Sequence, residues 1–459
     1  MQGWSEVLSW LLLVAIALAA PVERAGANDL LQLYRLALSR DATLQAATAQ
    51  RDAAVETRPQ ALSQLLPQLG ASASAGRERA GYQIGSVAAI EVENCTLSAA
   101  QQMQYCNSNT HAYGLSLQQT LWSFESFNRL KEANFLAASA QANLLAAQQS
   151  LLLRVANAYF GILSAEDQLG TNRREREAFG VLLHEAKVRE QTGIGPHSAV
   201  SQAQSFYDAT EQSVIDARNA LDDANLAMME IVGERTGDIA PLRDNIPLAS
   251  PDPDSVDAWV ASAKQDNPAV RAAELQAEAA DRDIAVQRGK GLPTFTLNGG
   301  SSRSWQDLAV GGNQTLNTVG IQFNWPLFQG GAVASAMRQS RALYRQAQAL
   351  YDTAQRDTER QTRAAYRGVV TGIVRIGAAR RAVESGRAAV EASQRNVEFG
   401  TGSVFDLLNA QNNYYAAQRA YSQTRYDYLT SLLTLEQQAG RLAEHDLEAI
   451  DNLLVTKSP

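Results

Sequence analysis

The chain has little of what compact enzymes and membrane-spanning helices are built from. Aromatic residues fill only 7% of its 459 positions although 45% are hydrophobic, and much of that apolar content is alanine. Alanine- and glutamine-rich, charge-speckled sequence is the composition of long helices, not of a thick aromatic core. A formal charge of −8 leaves no basic footprint, so no nucleic acid partner is expected. Past Leu8–Ala20 no stretch approaches 18 consecutive apolar residues, which excludes a membrane-spanning helix in the body of the chain. The four histidines, His111, His184, His197 and His445, are scattered without ligand spacing, so no metal site is expected. There is no G-x-x-x-x-G-K-[ST] loop, and the Gly-x-Gly pairs at 193 and 400 follow helical stretches rather than strands. "RGKG" at 288–291 reads as a helix end before a strand. No catalytic residue and no cofactor is expected; the chain does not read as an enzyme.

Residues 1–27 read as a secretory signal peptide. The apolar run is too short to span a bilayer, and Ala25-Gly26-Ala27 supplies a small-residue cleavage site, although Glu6 and no Lys or Arg precedes the run. An exported chain without a spanning helix is periplasmic, secreted or an outer-membrane β-barrel. Only two cysteines are present, Cys95 and Cys106, with ten residues between them in a polar stretch. In an oxidising compartment such a local pair favours a disulfide closing a surface loop over two free thiols.

What the chain does have is a pattern written twice. "FGTGSVFDLLNAQNNYYAAQ" at 399–418 repeats "TGIGPHSAVSQAQSFYDATE" at 192–211: Gly400 matches Gly193, Gly402 matches Gly195 and Tyr414 matches Tyr207, all at an offset of 207. "LLPQLGASASAG" at 65–76 aligns with "GLPTFTLNGGSS" at 291–302, and "YGLSLQQTLWSF" at 113–124 with "VGIQFNWPLFQG" at 319–330. The first copy carries an extra loop, which holds both cysteines. Each copy predicts helix, strand, strand, very long helix, turn, helix. The first repeat spans 28–235, with a helix at 28–64, strands at about 67–76 and 113–122, a long helix at 124–192 and a helix at 197–233. A linker at 236–254 follows. The second repeat spans 255–441, with a helix, strands at about 293–305 and 318–328, a long helix at 331–399 and a helix at 403–440, before a tail at 442–459. Neither long stretch contains proline, and each predicts a rod of about 100 Å at 1.5 Å per residue. Ile162, Leu169 and Leu183 in one, interrupted by Arg176, and Val369, Ile376, Val383, Val390 and Val397 in the other, sit on a seven-residue coiled-coil spacing.

A plain periplasmic coiled-coil scaffold without a pore would explain the rods; the strands separate the two readings. Leu115 and Leu117 alternate with Ser116 and Gln118, with Tyr113 and Leu121 extending the apolar series; Ile321 and Phe323 alternate with Gln322 and Asn324. Strands apolar on one side and polar on the other fit a membrane barrel with a wet lumen, placing Ser116, Gln118, Gln322 and Asn324 toward the lumen. Trp122, Phe124, Trp325 and Phe328 fall at strand-to-helix junctions, where interfacial aromatics belong. Four strands cannot close a barrel, and open edges cannot face lipid. The chain must pool its strands with other copies.

On "FNWPLFQGG" at 323–331, its weaker twin "LQQTLWSFE" at 117–125, the "FGTGSVFDLLNAQNNYY" turn and the tandem layout, the sequence resembles the TolC family of outer-membrane export ducts along nearly all of the mature chain. The resemblance implies an α+β membrane protein working as a homotrimer: a twelve-stranded outer-membrane barrel, four strands per chain, continuous with a coiled-coil periplasmic tunnel. It implies a girdle around the tunnel from the linker and the tail. It also implies docking to a periplasmic adaptor (membrane fusion) protein and an inner-membrane ABC or proton-driven transporter, in the export of drugs or secreted proteins. Gly193, Gly195, Gly400 and Gly402 would form the periplasmic tip turns. An acidic ring at the tunnel mouth would fall to Asp406, with Asn409 at its second position. Ser403 and Asp406 equally make an S-x-x-D capping box, and both roles stay open. The family's tip latch falls on Ser198, Ala199, Val397 and Gly402, of which only Ser198 keeps a matching hydroxyl.

Overall fold

The computed structural model describes residues 29–83, 95–98, 103–306 and 313–455. The signal peptide assigned to residues 1–27 lies outside the described residues. The chain divides into a sheet unit, residues 46–146 and 264–358, and a helical unit, residues 1–45, 147–263 and 359–459.

Helices α1 (Leu30–Arg40), α2 (Ala42–Val55) and α3 (Thr57–Ser63) occupy the stretch expected to be one helix. The first break has a local cause: Asp41 leaves the helical region and its carboxylate accepts the Leu44 N–H at 2.7 Å, which starts a new helix. Strands β1 (Gln68–Gln83), β2 (Cys95–Ser98) and β3 (Met103–Ser123) follow, then α4 (Phe124–Gln191) and α5 (His197–Val232). After α6 (Val256–Asp266), Asn267 caps α7 (Pro268–Gly289), with proline at its first position where no N–H is needed. Strands β4 (Thr294–Gln306) and β5 (Asn313–Asn324), then α8 (Ala332–Glu398), α9 (Val404–Gln438) and α10 (Glu444–Asp451) complete the order.

In the sheet unit the strands are antiparallel in the order β1-β3-β4-β5, with β2 pairing the start of β3. Four expected strand boundaries move: the end of β1, the start of β3 and both ends of β5, which begins at Asn313 rather than near 318. β1 and β3 run well past 76 and begin before 113, pairing from Gln68↔Gln118 out to Gln83↔Met103. β5 ends at Asn324 rather than near 328, because Pro326 has no N–H to give a ladder. Below the sheet, Phe135 and Ala142 of α4 pack on Ala272 and Leu275 of α7, and the Ser139 hydroxyl donates to the Ala272 carbonyl at 2.9 Å.

The helical unit is built from α1, α5, α6, α9, α10 and the parts of α4 and α8 that fall within it. Of the heptad residues, Ile162, Leu169, Leu183, Val369, Ile376 and Val397 are buried, and Val383 and Val390 half-buried. Tyr159 is fully enclosed and donates its hydroxyl to the Ala240 carbonyl at 2.7 Å. Arg154 forks onto the buried Asp41 at 2.8 and 3.0 Å. Burial alone would push the Asp41 carboxyl up; Arg154 and the Leu44 and Thr43 N–H groups prevail and hold it below its ordinary value. Its contribution is therefore present above about pH 4 and is lost as acid titrates the folded form. Linker and tail meet: Val455 N–H donates to Pro241 O at 2.8 Å and Arg243 N–H to Leu453 O at 3.0 Å. Asp451 of α10 accepts the Leu30 N–H at 2.9 Å, adding a carboxylate at the α1 N-terminus.

Candidate functional site: the sheet faces and the tip turns

Residues opposite each other in an antiparallel register share a face. Register rows therefore sort the sheet without reference to any neighbour. One face carries Leu69, Leu117, Gly299 and Val319 in one row and Ala71, Leu115, Ser301 and Asn317 in the next. The other carries Gly70, Ser116, Gly300 and Thr318, then Gln68, Gln118, Asn298 and Gly320. Gln322 and Asn324 lie on this second face with Asn298, whose amide donates to Gln322 Oε1 at 3.0 Å. Ser116, Gln118, Gln322 and Asn324 thus share one polar side, and Leu115, Leu117, Ile321 and Phe323 the opposite one. The apolar side is bare in the chain: Leu69 is 83% and Val319 82% exposed.

Leu121 leaves the expected alternation. A bulge between Thr120 and Trp122 makes it the extra residue and sets Trp122 opposite Phe295. Gln119, opposite Leu297, is a polar exception on the apolar face. Aromatic rows mark both ends of that face. At the helix-proximal end Trp122 meets Phe295 edge-on at 6.3 Å, and Phe295 meets Phe323 at 5.1 Å. At the far end Tyr113 lies 5.0 Å from Trp305, over which Arg303 sits at 5.3 Å. From Phe295 to Trp305 is about 33 Å of strand at 3.3 Å per residue. At a tilt near 40° that is about 25 Å of height, the apolar band of an outer-membrane barrel between its girdles. Of the other junction aromatics, Trp325 and Phe328 are exposed beyond β5, and Phe124 opens α4 half-buried.

The two tip turns are built alike. Gly193 and Gly400 stand at φ 77° and 72°, in the left-handed region that favours glycine. Ile194 and Gly195 N–H both donate to Arg189 O at 3.0 and 2.9 Å; Thr401 and Gly402 N–H both donate to Asn396 O at 2.8 and 2.9 Å. These bonds, with Gly193 onto Glu190 O and Gly400 onto Val397 O, are Schellman closures. Gly195 and Gly402 are glycines for another reason: a Cβ would stand 3.0 Å from the Arg189 Cβ and 2.7 Å from the Asn396 Cβ. Both hairpins end in one apolar cluster, where Phe179, Leu183 and Val200 pack with Val397, Leu407 and Leu408.

Asp406 is exposed in the first turn of α9. Its N–H donates to Ser403 Oγ at 3.1 Å, and its carboxylate accepts the Ser403 hydroxyl at 2.8 Å rather than the Ser403 N–H. The cap is formed; the reciprocal half of the box is not. Asn409 spends its amide on Phe405 O at 3.0 Å. Of the latch positions, Val397 is in the tip cluster and Gly402 against Asn396, so neither offers a polar link. Sequence reasoning missed the ion pair of Arg419 with the buried Glu175, which Arg419 shares with Asn172 Oδ1 at 3.1 Å. Burial pushes the Glu175 carboxyl above its ordinary value despite Arg419.

The extra loop of the first copy is partly strand. β2 places Cys95 directly opposite Cys106 of β3. Opposite residues in an antiparallel pair stand about 4.5–5.5 Å apart at Cα, within the span a disulfide bridges. Thiol labelling of the intact, unreduced protein after denaturation is expected to find no reactive thiol; two per chain would rule the bridge out.

A sheet with one bare apolar face between aromatic rows, whose strands β3 and β5 lead into helices of 68 and 67 residues, defines an outer-membrane channel chain. Residues 33–234 and 259–441 match the family model "Outer membrane efflux protein". The chain belongs to that family. It is 30% identical to "Outer membrane protein TolC" of Vibrio cholerae, over 95% of this chain and 96% of the relative. It is 28% identical to "Alkaline protease secretion protein AprF" of Pseudomonas aeruginosa, over 93% and 88%. Its fold is that of the outer-membrane channel OprN, with a TM-score of 0.76, 21% identity and coverage of 92% and 94%. VceC of Vibrio cholerae superposes with a TM-score of 0.74 at 19% identity, covering 90% and 96%. The chain is an outer-membrane exit duct of a tripartite export system, and channels of this family work with adaptor proteins and inner-membrane transporters.

Proposed function

We propose that the chain works as a homotrimer, three copies closing one twelve-stranded barrel around the polar face and one helical tunnel below it. The observation that carries this reading is that β1 and β5 each pair on one side only among the described strands, while the apolar face between them is bare. Unpaired backbone cannot face hydrocarbon, and four strands are too few to close. The tandem repeat then gives each copy two equivalent hairpins, with linker and tail as a girdle. The cargo is drugs or secreted proteins, handed over by a periplasmic adaptor and an ABC or proton-driven transporter; AprF, among the relatives, is named for protease secretion. In a host deleted for its own exit duct, the chain is expected to restore drug resistance or protease secretion and to migrate as a heat-modifiable trimer in outer-membrane fractions. A monomer in the soluble periplasm would return the reading to a poreless scaffold.

Three copies of Asp406 around a threefold axis make a cation-attracting ring at the tunnel mouth, as side-chain rings do in channels. Asp406→Asn keeps the cap, which is made by Ser403 Oγ and the Asp406 backbone N–H, leaves an amide oxygen that can accept the Ser403 hydroxyl, and removes the charge. Reduced cation selectivity and weaker block by multivalent cations in planar bilayers are expected, with unchanged trimer stability. Unchanged selectivity would leave Asp406 as no more than the carboxylate that accepts the Ser403 hydroxyl behind the cap.

A further inference from the structure

Within the helical unit, side-chain packing orders four helices as α5, α4, α9, α8. Phe206 of α5 meets Phe179 of α4 at 5.4 Å, and Asn172 of α4 donates to Ser213 O of α5 at 3.0 Å. Tyr426 of α9 donates to Asp167 of α4 at 2.8 Å, and Ser164 of α4 to Gln423 of α9 at 2.7 Å. α9 and α8 touch so closely that a Cβ on Gly386 would stand 3.2 Å from the Tyr414 Cα, and one on Gly372 3.3 Å from the Tyr428 Cβ. α5 also meets α9 and α1; among the described residues, the sides of α5 and α8 turned away from these neighbours are the flanks of the set.

These flanks carry opposite charge. α5 holds six acidic residues and one arginine; α8 from Glu359 to Glu398 holds eight arginines, four glutamates and no lysine. Both outward stripes keep a seven-residue spacing, which holds a helix face toward a neighbour. On α5 it is Asp208, Ile215, Asp222; on α8 it is Arg367, Val374, Arg381. All six are exposed, Ile215 and Val374 at 57% and 68%, with Leu226 and Val370 flanking them. Among the described residues, Asp208 accepts a hydrogen bond from Gln204 of its own helix at 2.7 Å and forms no ion pair. Other α8 arginines are committed within the chain: Arg363 pairs with Asp257 and Glu359, and Arg380 with Glu384. The stripes also lie at matching height. Asp208 and Asp222 stand 15 and 29 residues from Gly193, Arg381 and Arg367 19 and 33 from Gly400. The difference is about one helical turn, roughly 5.4 Å, within an arginine's reach.

We propose that the acid–isoleucine–acid face of α5 docks on the arginine–valine–arginine face of α8 in the next copy of this chain. The contact is heterologous: each copy offers one flank of each sign, so like flanks repel and copies join in one sense only. A second copy fits because the two flanks of one chain are complementary in spacing, direction and sign, and among the described residues no ion pair joins the α5 stripe to the α8 stripe. The inference rests on the trimeric reading and specifies which surfaces make the trimer.

The test is subunit exchange between fluorescently labelled full-length trimers in detergent. Asp208→Arg with Asp222→Arg, and separately Arg367→Asp with Arg381→Asp, are each expected to speed exchange at least about tenfold at low salt, because like charges then face each other. Combining all four reversals should restore slow exchange, which also shows that the variants fold. Exchange that stays slow in both two-site variants overturns the proposal and leaves the trimer standing. So does a four-site variant that exchanges faster than either, or a loss confined to capture of a periplasmic partner. A wild-type chain that never forms trimers sinks the trimeric reading instead.

Discussion

Gly289→Val is expected to prevent the sheet unit from assembling. Gly289 ends α7, and a Cβ there would stand 2.6 Å from both the Cα and the N of Glu125 in the first turn of α4. Overpacking typically costs about 1–3 kcal/mol when side chains can yield. Here the obstacle is helix backbone, so the cost should exceed about 3 kcal/mol, because one helix must move off the other. Gly291, two residues on, is the control: a Cβ there meets Val333 Cγ1 at an ordinary 3.4 Å. Outer-membrane yield and thermal midpoint should collapse for Gly289→Val and change little for Gly291→Ala. Equal behaviour of the two would show that the approach of α7 to α4 is not required.

Leu117→Lys should be nearly as damaging, by a different route. Leu117 shares its row with Leu69, Gly299 and Val319, about midway between the aromatic rows. A lysine on the lipid face at that depth costs about 2–4 kcal/mol per chain. With the polar face toward the lumen, as proposed, lysine at Gln322 would meet water and should assemble normally. Assembly yield and heat-modifiable mobility of the two variants decide it; equal assembly would reject the assignment of faces.

The parts of the fold legible in the sequence are those a single residue type enforces. A left-handed turn favours glycine, so Gly193 and Gly400 marked the ends of the long helices. A half-immersed strand needs alternation, so Leu115–Gln118 and Ile321–Asn324 revealed their faces. The outer ends of β1 and β3 were not legible, because "RERAGYQ" and "QYCNSNT" lack the alternation that lipid imposes. The break at Asp41 was hidden because one aspartate in a helical run looks like surface until its cap bond to Leu44 is seen. Neither the Arg154–Asp41 nor the Arg419–Glu175 pair had a local signal, since its partners lie 113 and 244 residues apart. At the candidate site, the sequence identified all four tip glycines but not that Gly195 and Gly402 are demanded by crowding rather than by dihedral angle.

The bulge at Leu121 acts as a gear between two incompatible periodicities. Strand residues advance by half a turn and helix residues by about 100°. With only Ser123 between Trp122 and the start of α4, one residue more or fewer changes the angle at which the helix leaves the sheet. The extra residue seats Trp122 in the aromatic row and aims α4 so that Glu125 presents backbone to Gly289. Deleting Leu121 would leave every strand upstream in register and mistime the rod by about 100°. The tolerance for insertions at this junction is thus set by rotation rather than by space.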